Sequence, residues 1–155
     1  MHLADMPGRA RERVTAAEYE ALAAFRAALR GFLAFSEAAA REAGLTPRQH
    51  QALLAIQAAG GSEPTVGALA EGLGLRHHSA VGLADRLVAL GLVSRASGGA
   101  DRRRVRLVLT ARGRRRLEAL TAAHRSELRQ VAPQLKALVA TLEAGPHGRA
   151  GRRQR

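Results

Sequence analysis

The chain has 155 residues, 46 % of them hydrophobic and only 3 % aromatic, so it is long enough for a folded domain with a Leu, Val and Ala core. It contains no cysteine, which excludes disulfides, thiolate metal sites and thiol redox sensing. Its net charge of +12 favours a polyanionic partner, and of its 25 basic residues only Lys136 is not arginine.

Arginine has two readings here. Its planar fork suits phosphate and guanine. An Arg-, Ala- and Gly-rich chain also suits a GC-rich genome, so the positions of the arginines must decide. No apolar run nears the ~20 residues that span a bilayer. The first residues lack the apolar stretch of a secretory signal. The expectation is a cytoplasmic protein with no membrane partner.

Residues 1–15 are polar, contain Pro7 and Gly8, and read as a flexible N-terminal arm. Ala16 to about Ala43 is helical, with Leu22, Leu29, Phe32, Leu33, Ser36 and Ala40 near one face and Gly44 closing it. Thr46-Pro47-Arg48-Gln49 predicts a capped helix start, followed by Leu53, Leu54 and Ile56 and a stop at Gly60-Gly61. Thr65 caps a short helix from Val66 to about Gly72, and Gly74-Leu75 makes a turn. A third helix runs from about Arg76 to Leu90, its inward stripe being Ala80, Leu83, Ala84, Leu87 and Val88.

Leu92 to Arg95 reads as a strand, 97–101 as a loop, and the alternating Arg104 to Leu109 as a second strand. Thr110 caps a long helix from Ala111 to about Gln130. Pro133 then allows a break before a final helix carrying Val131, Leu135, Leu138, Val139 and Leu142. Residues 143–155 read as a disordered basic tail.

The order helix, turn, helix, strand, loop, strand gives the parts of a winged helix-turn-helix. In that arrangement the second helix of the pair enters the major groove. The charge now decides between the two readings of arginine. Arg95 to Arg116 contains nine arginines and one acid, Asp101, whereas codon bias would scatter arginine evenly. Double-stranded DNA is the expected partner.

At this point the sequence resembles the MarR family of transcriptional regulators. The resemblance rests on LTPRQHQALLAI, TVGALAEGLGL, RHHSAVGLADRLVALGLVSR and DRRRVRLVLTARG. It implies a mainly α fold with a small two-stranded β-wing, in which a winged helix-turn-helix is flanked by dimerisation helices. The implied organisation is a single domain over 16–142, with the winged helix-turn-helix at about 46–110 and dimerisation helices at about 16–43 and 111–142. It implies a homodimer on a pseudo-palindromic operator. It also implies repression relieved when a small aromatic or otherwise apolar ligand binds between the dimer helices and the DNA-binding lobe. Asp101 and Arg103 match the family's wing-tip pair, in which the Arg enters the minor groove and the Asp holds it.

The candidate DNA-binding residues are Arg76, His77, His78, Ser79, Gly82, Arg86, Arg95, Asp101, Arg102, Arg103 and Arg104. His77, His78 and Ser79 open the third helix, where base edges and phosphates are met. Gly82 departs from the larger or polar residue that family members often carry there. It admits close backbone approach but reads no base. Arg86 reaches a phosphate or pairs along its helix, and Arg95 supports the wing through phosphate or through Asp101. Phe32, Phe35, His50 and Leu54 are candidates for a ligand pocket, with ordinary packing as the rival reading.

The six histidines form no His-x-x-x-His pair, so no metal site and no cofactor are expected. There is no Cys nucleophile, Gly-rich phosphate loop or Ser elbow, so no enzyme is expected. The main alternative is a sequence-tolerant, nucleoid-associated DNA-binding protein, which the Arg-rich tail suits. An RNA-binding module lacks the aromatics that stack bases.

Overall fold

Helix α1 (Ala16–Glu42) begins at a reciprocal cap. The Thr15 hydroxyl accepts from the Glu18 amide at 3.2 Å, and the Glu18 carboxylate accepts from the Thr15 amide at 2.6 Å. The same device starts α2 (Pro47–Ala58), where Thr46 and Gln49 exchange bonds and Pro47 stands at the first helical position. These elements belong to a computed structural model that describes residues 13–60, 64–97 and 105–144.

The chain continues through α3 (Val66–Gly72), α4 (His77–Ala89), β1 (Val93–Ser97), β2 (Val105–Leu109) and α5 (Ala111–Ala144). The architecture is thus mainly α with a two-stranded antiparallel wing, as the sequence predicts. Val93 pairs with Leu109 and Ser97 with Val105. The wing has one addition that the sequence reading misses. Thr65 bridges to Arg106, and the Leu107 amide donates to the Pro64 carbonyl at 2.9 Å. Such pairing joins residues some forty positions apart, and no local pattern announces it.

The contacts divide the chain into two compact units, residues 34–126 and residues 1–33 with 127–155. The central unit holds a continuous core that includes Leu45, Leu53, Ile56, Leu69, Leu83, Leu87, Leu92, Leu107, Leu117 and Leu120. Its corners are set by backbone. Gly74 takes φ +62°, a left-handed conformation that favours glycine, and Leu75 then donates back to Ala70 at 2.8 Å to close α3. At Gly113, α5 crosses so close to the Leu92 carbonyl that a Cβ there would overlap its oxygen. The Thr110 hydroxyl fixes this crossing by donating to the Gly91 carbonyl at 2.7 Å while accepting from the Gly113 amide at 3.0 Å.

The terminal unit is different. Of its described residues only Ala21 is buried. The single stripe expected on α1 is divided: Leu22, Leu29 and Leu33 are exposed, Phe32 and Ser36 are half-buried, and Ala40 is buried. The periodicity fixes that these leucines share a face, but not which face the chain itself covers.

The expected break at Pro133 is also corrected, for α5 runs through it without interruption. Pro133 forfeits one amide donor and is exposed, so water can reach the carbonyl left without it. The apolar spacing Leu128, Val131, Leu135, Leu138 and Leu142 keeps one phase across the proline, so a continuous helix aligns the stripe.

Candidate nucleic-acid interface

The α3–turn–α4 pair presents one face of α4 outward. Ala80, Leu83, Ala84 and Leu87 are buried, which at 3.6 residues per turn leaves His78, Gly82, Asp85 and Arg86 on the opposite side. Arg76 occupies the N-cap position without a side-chain cap bond, and Arg76, His77, His78 and Ser79 are all exposed. Four side chains able to donate hydrogen bonds therefore cluster at the start of the helix. Its unpaired amides add positive potential at the same end.

Gly82 leaves room beside it: a Cβ there would stand 3.8 Å from Nη1 of Arg86, so the guanidinium lies back along the helix over the glycine. The mid-helix surface is thus a flat backbone stretch edged by one arginine. Four of the DNA-binding candidates from the sequence, Asp101, Arg102, Arg103 and Arg104, lie outside the described residues.

Arg95 has a partner that the sequence reading did not name. Its guanidinium pairs with the Asp85 carboxylate of α4. Two other arginines counted in the basic stretch also turn to the protein itself. Arg114 Nη1 donates to the Leu109 carbonyl at 2.7 Å, and Arg116 donates to the Ala43 carbonyl. The charge count from Arg95 to Arg116 therefore overstates the arginines available to a ligand. A count of charge cannot distinguish a guanidinium that ties down a carbonyl from one that faces water.

The four candidate pocket residues are only partly brought together. His50 is buried, and its ring centroid lies 4.8 Å from that of His124 on α5. Phe35 meets the same His124 edge-on at 5.5 Å. His124 is held by Nδ1 at 2.6 Å from the Leu120 carbonyl and by Nε2 at 2.7 Å from the Ser36 hydroxyl. Burial, and secondly the neighbouring His124, push the pKa of His50 below its ordinary 6.5. Leu54 is exposed, and Phe32 is half-buried in the terminal unit. A half-open cavity of about 430 Å³ lies elsewhere on the central unit, lined by Gln57, Arg114, Leu117, Glu118, Thr121, Ala122 and Arg125. None of the four candidates lines it. His124 is the residue that the sequence reading overlooked, because its link to His50 is purely spatial.

Against this geometry, the MarR family model matches residues 43–104. A probable transcriptional regulator from Pseudomonas aeruginosa is 30 % identical, covers 77 % of this chain and 90 % of its own, and superposes with a TM-score of 0.58. A Staphylococcus aureus MepR mutant bound to an oligodeoxyribonucleotide is 20 % identical, with 85 % and 98 % coverage and a TM-score of 0.67. Rhodococcus jostii CouR bound to p-coumaroyl-CoA is 22 % identical, with 84 % and 94 % coverage and a TM-score of 0.62. A search of curated proteins finds no significant match.

Proposed function

The chain belongs to the MarR family of transcriptional regulators, and from that premise we propose that it binds double-stranded DNA as a homodimer and represses transcription until a small ligand releases it. The observation that carries the DNA reading is the start of α4, where Arg76, His77, His78 and Ser79 stand exposed at the head of the second helix of the pair. The N-terminal residues of a recognition helix meet base edges and phosphates in the major groove. Arg86 extends the contact along the backbone. Arg103, oriented by Asp101, takes the adjacent minor groove, where negative potential is concentrated.

Dimerisation is supported by the terminal unit. Leu22, Leu29, Leu33, Leu128 and Val139 are exposed on the terminal-unit stretches of α1 and α5, which bury only Ala21 among their described residues. A second copy covers such faces in a twofold arrangement. Two recognition helices then reach successive major grooves, about 10 base pairs apart on a pseudo-palindrome. No helix among the described residues is long and apolar enough to cross a membrane, and a chromosomal target places the protein in the cytoplasm. The DNA reading also draws on MepR, a mutant of which was captured with an oligodeoxyribonucleotide, and the ligand reading draws on CouR, which was captured with p-coumaroyl-CoA. An apolar ligand beside Phe35 and His50 would act at the junction of α1, α2 and α5.

Sequencing the genomic DNA that the protein retains tests this reading. A shared two-part motif is expected. Retention without any motif, equal on specific and random duplex at fixed salt, would instead favour a nucleoid-associated role.

A further inference from the structure

Asp85 stands on the outward face of α4, among groups that suit a polyanion. A carboxylate there repels phosphate, so its presence needs a local reason. Its partner Arg95 comes from β1, across the corner that Gly91 and Leu92 make between helix and strand. Register explains why Arg95 reaches it. Arg95 pairs with Leu107, and directly opposed residues share a face of an antiparallel ladder. Leu107 is fully buried, so Arg95 leaves the sheet on the side turned towards the lobe. Its head then emerges at the rim beside α4. Both side chains keep substantial exposure, 38 % for Arg95 and 56 % for Asp85, so the pair adds little to folding stability.

We propose that Asp85 is a positioning residue for DNA binding: through Arg95 it braces the wing against the recognition helix, so that helix and wing meet the duplex at one fixed angle. This rests on the DNA-binding reading above. A helix in the major groove and a wing in the next minor groove must both fit at once. A loose corner lets each bind only at the expense of the other's alignment. The brace also neutralises a carboxylate that would otherwise oppose the phosphates. Arg95 accordingly serves the interface from behind and makes no phosphate contact of its own.

The test uses the full chain and a duplex that the wild type selects from a random-sequence pool. Asp85→Asn, Arg95→Gln and the double exchange Asp85→Arg with Arg95→Asp are compared for affinity at two salt concentrations and for melting temperature. Each single change is expected to weaken specific binding about tenfold, the scale of a coupled pair. The melting temperature and the salt slope should hardly move, and the double exchange should recover most of the affinity. Tighter binding by Asp85→Asn would mean that the carboxylate only repels phosphate, and would overturn the proposal. So would a salt slope lowered by about one in Arg95→Gln, the mark of a phosphate contact, or a double exchange no better than the singles. A large drop in melting temperature would make the pair structural and overturn it too. A wild type that selects no duplex removes the DNA-binding reading itself, an outcome separate from failure of the exchange.

Discussion

The two units of this chain solve the burial problem in opposite ways. The central unit, residues 34–126, closes a core of aliphatic side chains contributed by every helix and by both strands. The terminal unit carries comparable apolar residues on two long helices yet buries only Ala21 among its described residues. Short elements folded back on one another can shield each other's apolar faces. Long helices present stripes that must find cover along their length, and under the proposed dimer a second copy supplies that cover to the terminal unit.

The largest effect should come from breaking the central unit at its tightest point. Gly113→Ala pushes a methyl into the Leu92 carbonyl, backbone against backbone, where no side chain can yield. A loss of roughly 3 kcal/mol is expected, the upper range for overpacking, read as a lowered denaturation midpoint. An unchanged midpoint would mean that α5 can shift away from the Leu92 carbonyl at no cost.

Next comes the terminal unit, where the proposed dimer is tested. Leu135→Glu puts a charge into the α5 stripe and should leave the central unit folded while producing monomers by light scattering. DNA affinity should fall about a hundredfold or more, since two linked half-sites bind far better than one. Monomeric wild type at micromolar concentration would remove the contrast between the units.

A smaller effect is expected at the start of α1. Thr15→Ala removes both the acceptor for the Glu18 amide and a donor to its carboxylate, at a cost of about 1 kcal/mol. Helicity lost from the first turns by circular dichroism, with the central unit's transition unmoved, would show that the units melt separately. A coincident shift of both would show that they do not.

The gentlest perturbation is acid. The pKa of His50 is depressed in the folded chain, so the unfolded chain binds more protons below its ordinary 6.5. The stability contributed by neutral His50 is therefore complete above 6.5 and is lost as pH falls through the lower, folded value. Melts at about pH 7.5 and pH 5.5 should differ in the wild type, and His50→Leu should narrow that difference. Equal narrowing by a change at exposed His78 would show that the His50 site has no special part.

Much of the central unit was legible because its signals are local. Thr46, Pro47 and Gln49 mark a helix start by their own hydrogen-bonding capacity, and the structure uses all three. Thr65 and Thr110 do the same for α3 and α5. The α4 stripe of Ala80, Leu83, Ala84 and Leu87 follows from a 3.6-residue period, and so does the outward placement of His78 and Arg86. The candidate site was harder to read. That Arg95 turns to Asp85, or that Arg116 turns to the Ala43 carbonyl, depends on where separate elements come to rest.

By itself, then, the sequence determined the order and caps of the helices, the strand pair, the excess of arginine and the family resemblance, because each is written in neighbouring residues or in a short period. The tertiary structure decided which arginines are spent on carbonyls and which face outward, that His50 packs against His124, that Thr65 extends the wing, and that α5 runs on through Pro133. Those outcomes depend on distances between residues far apart in the chain, and such distances are set only when the core closes.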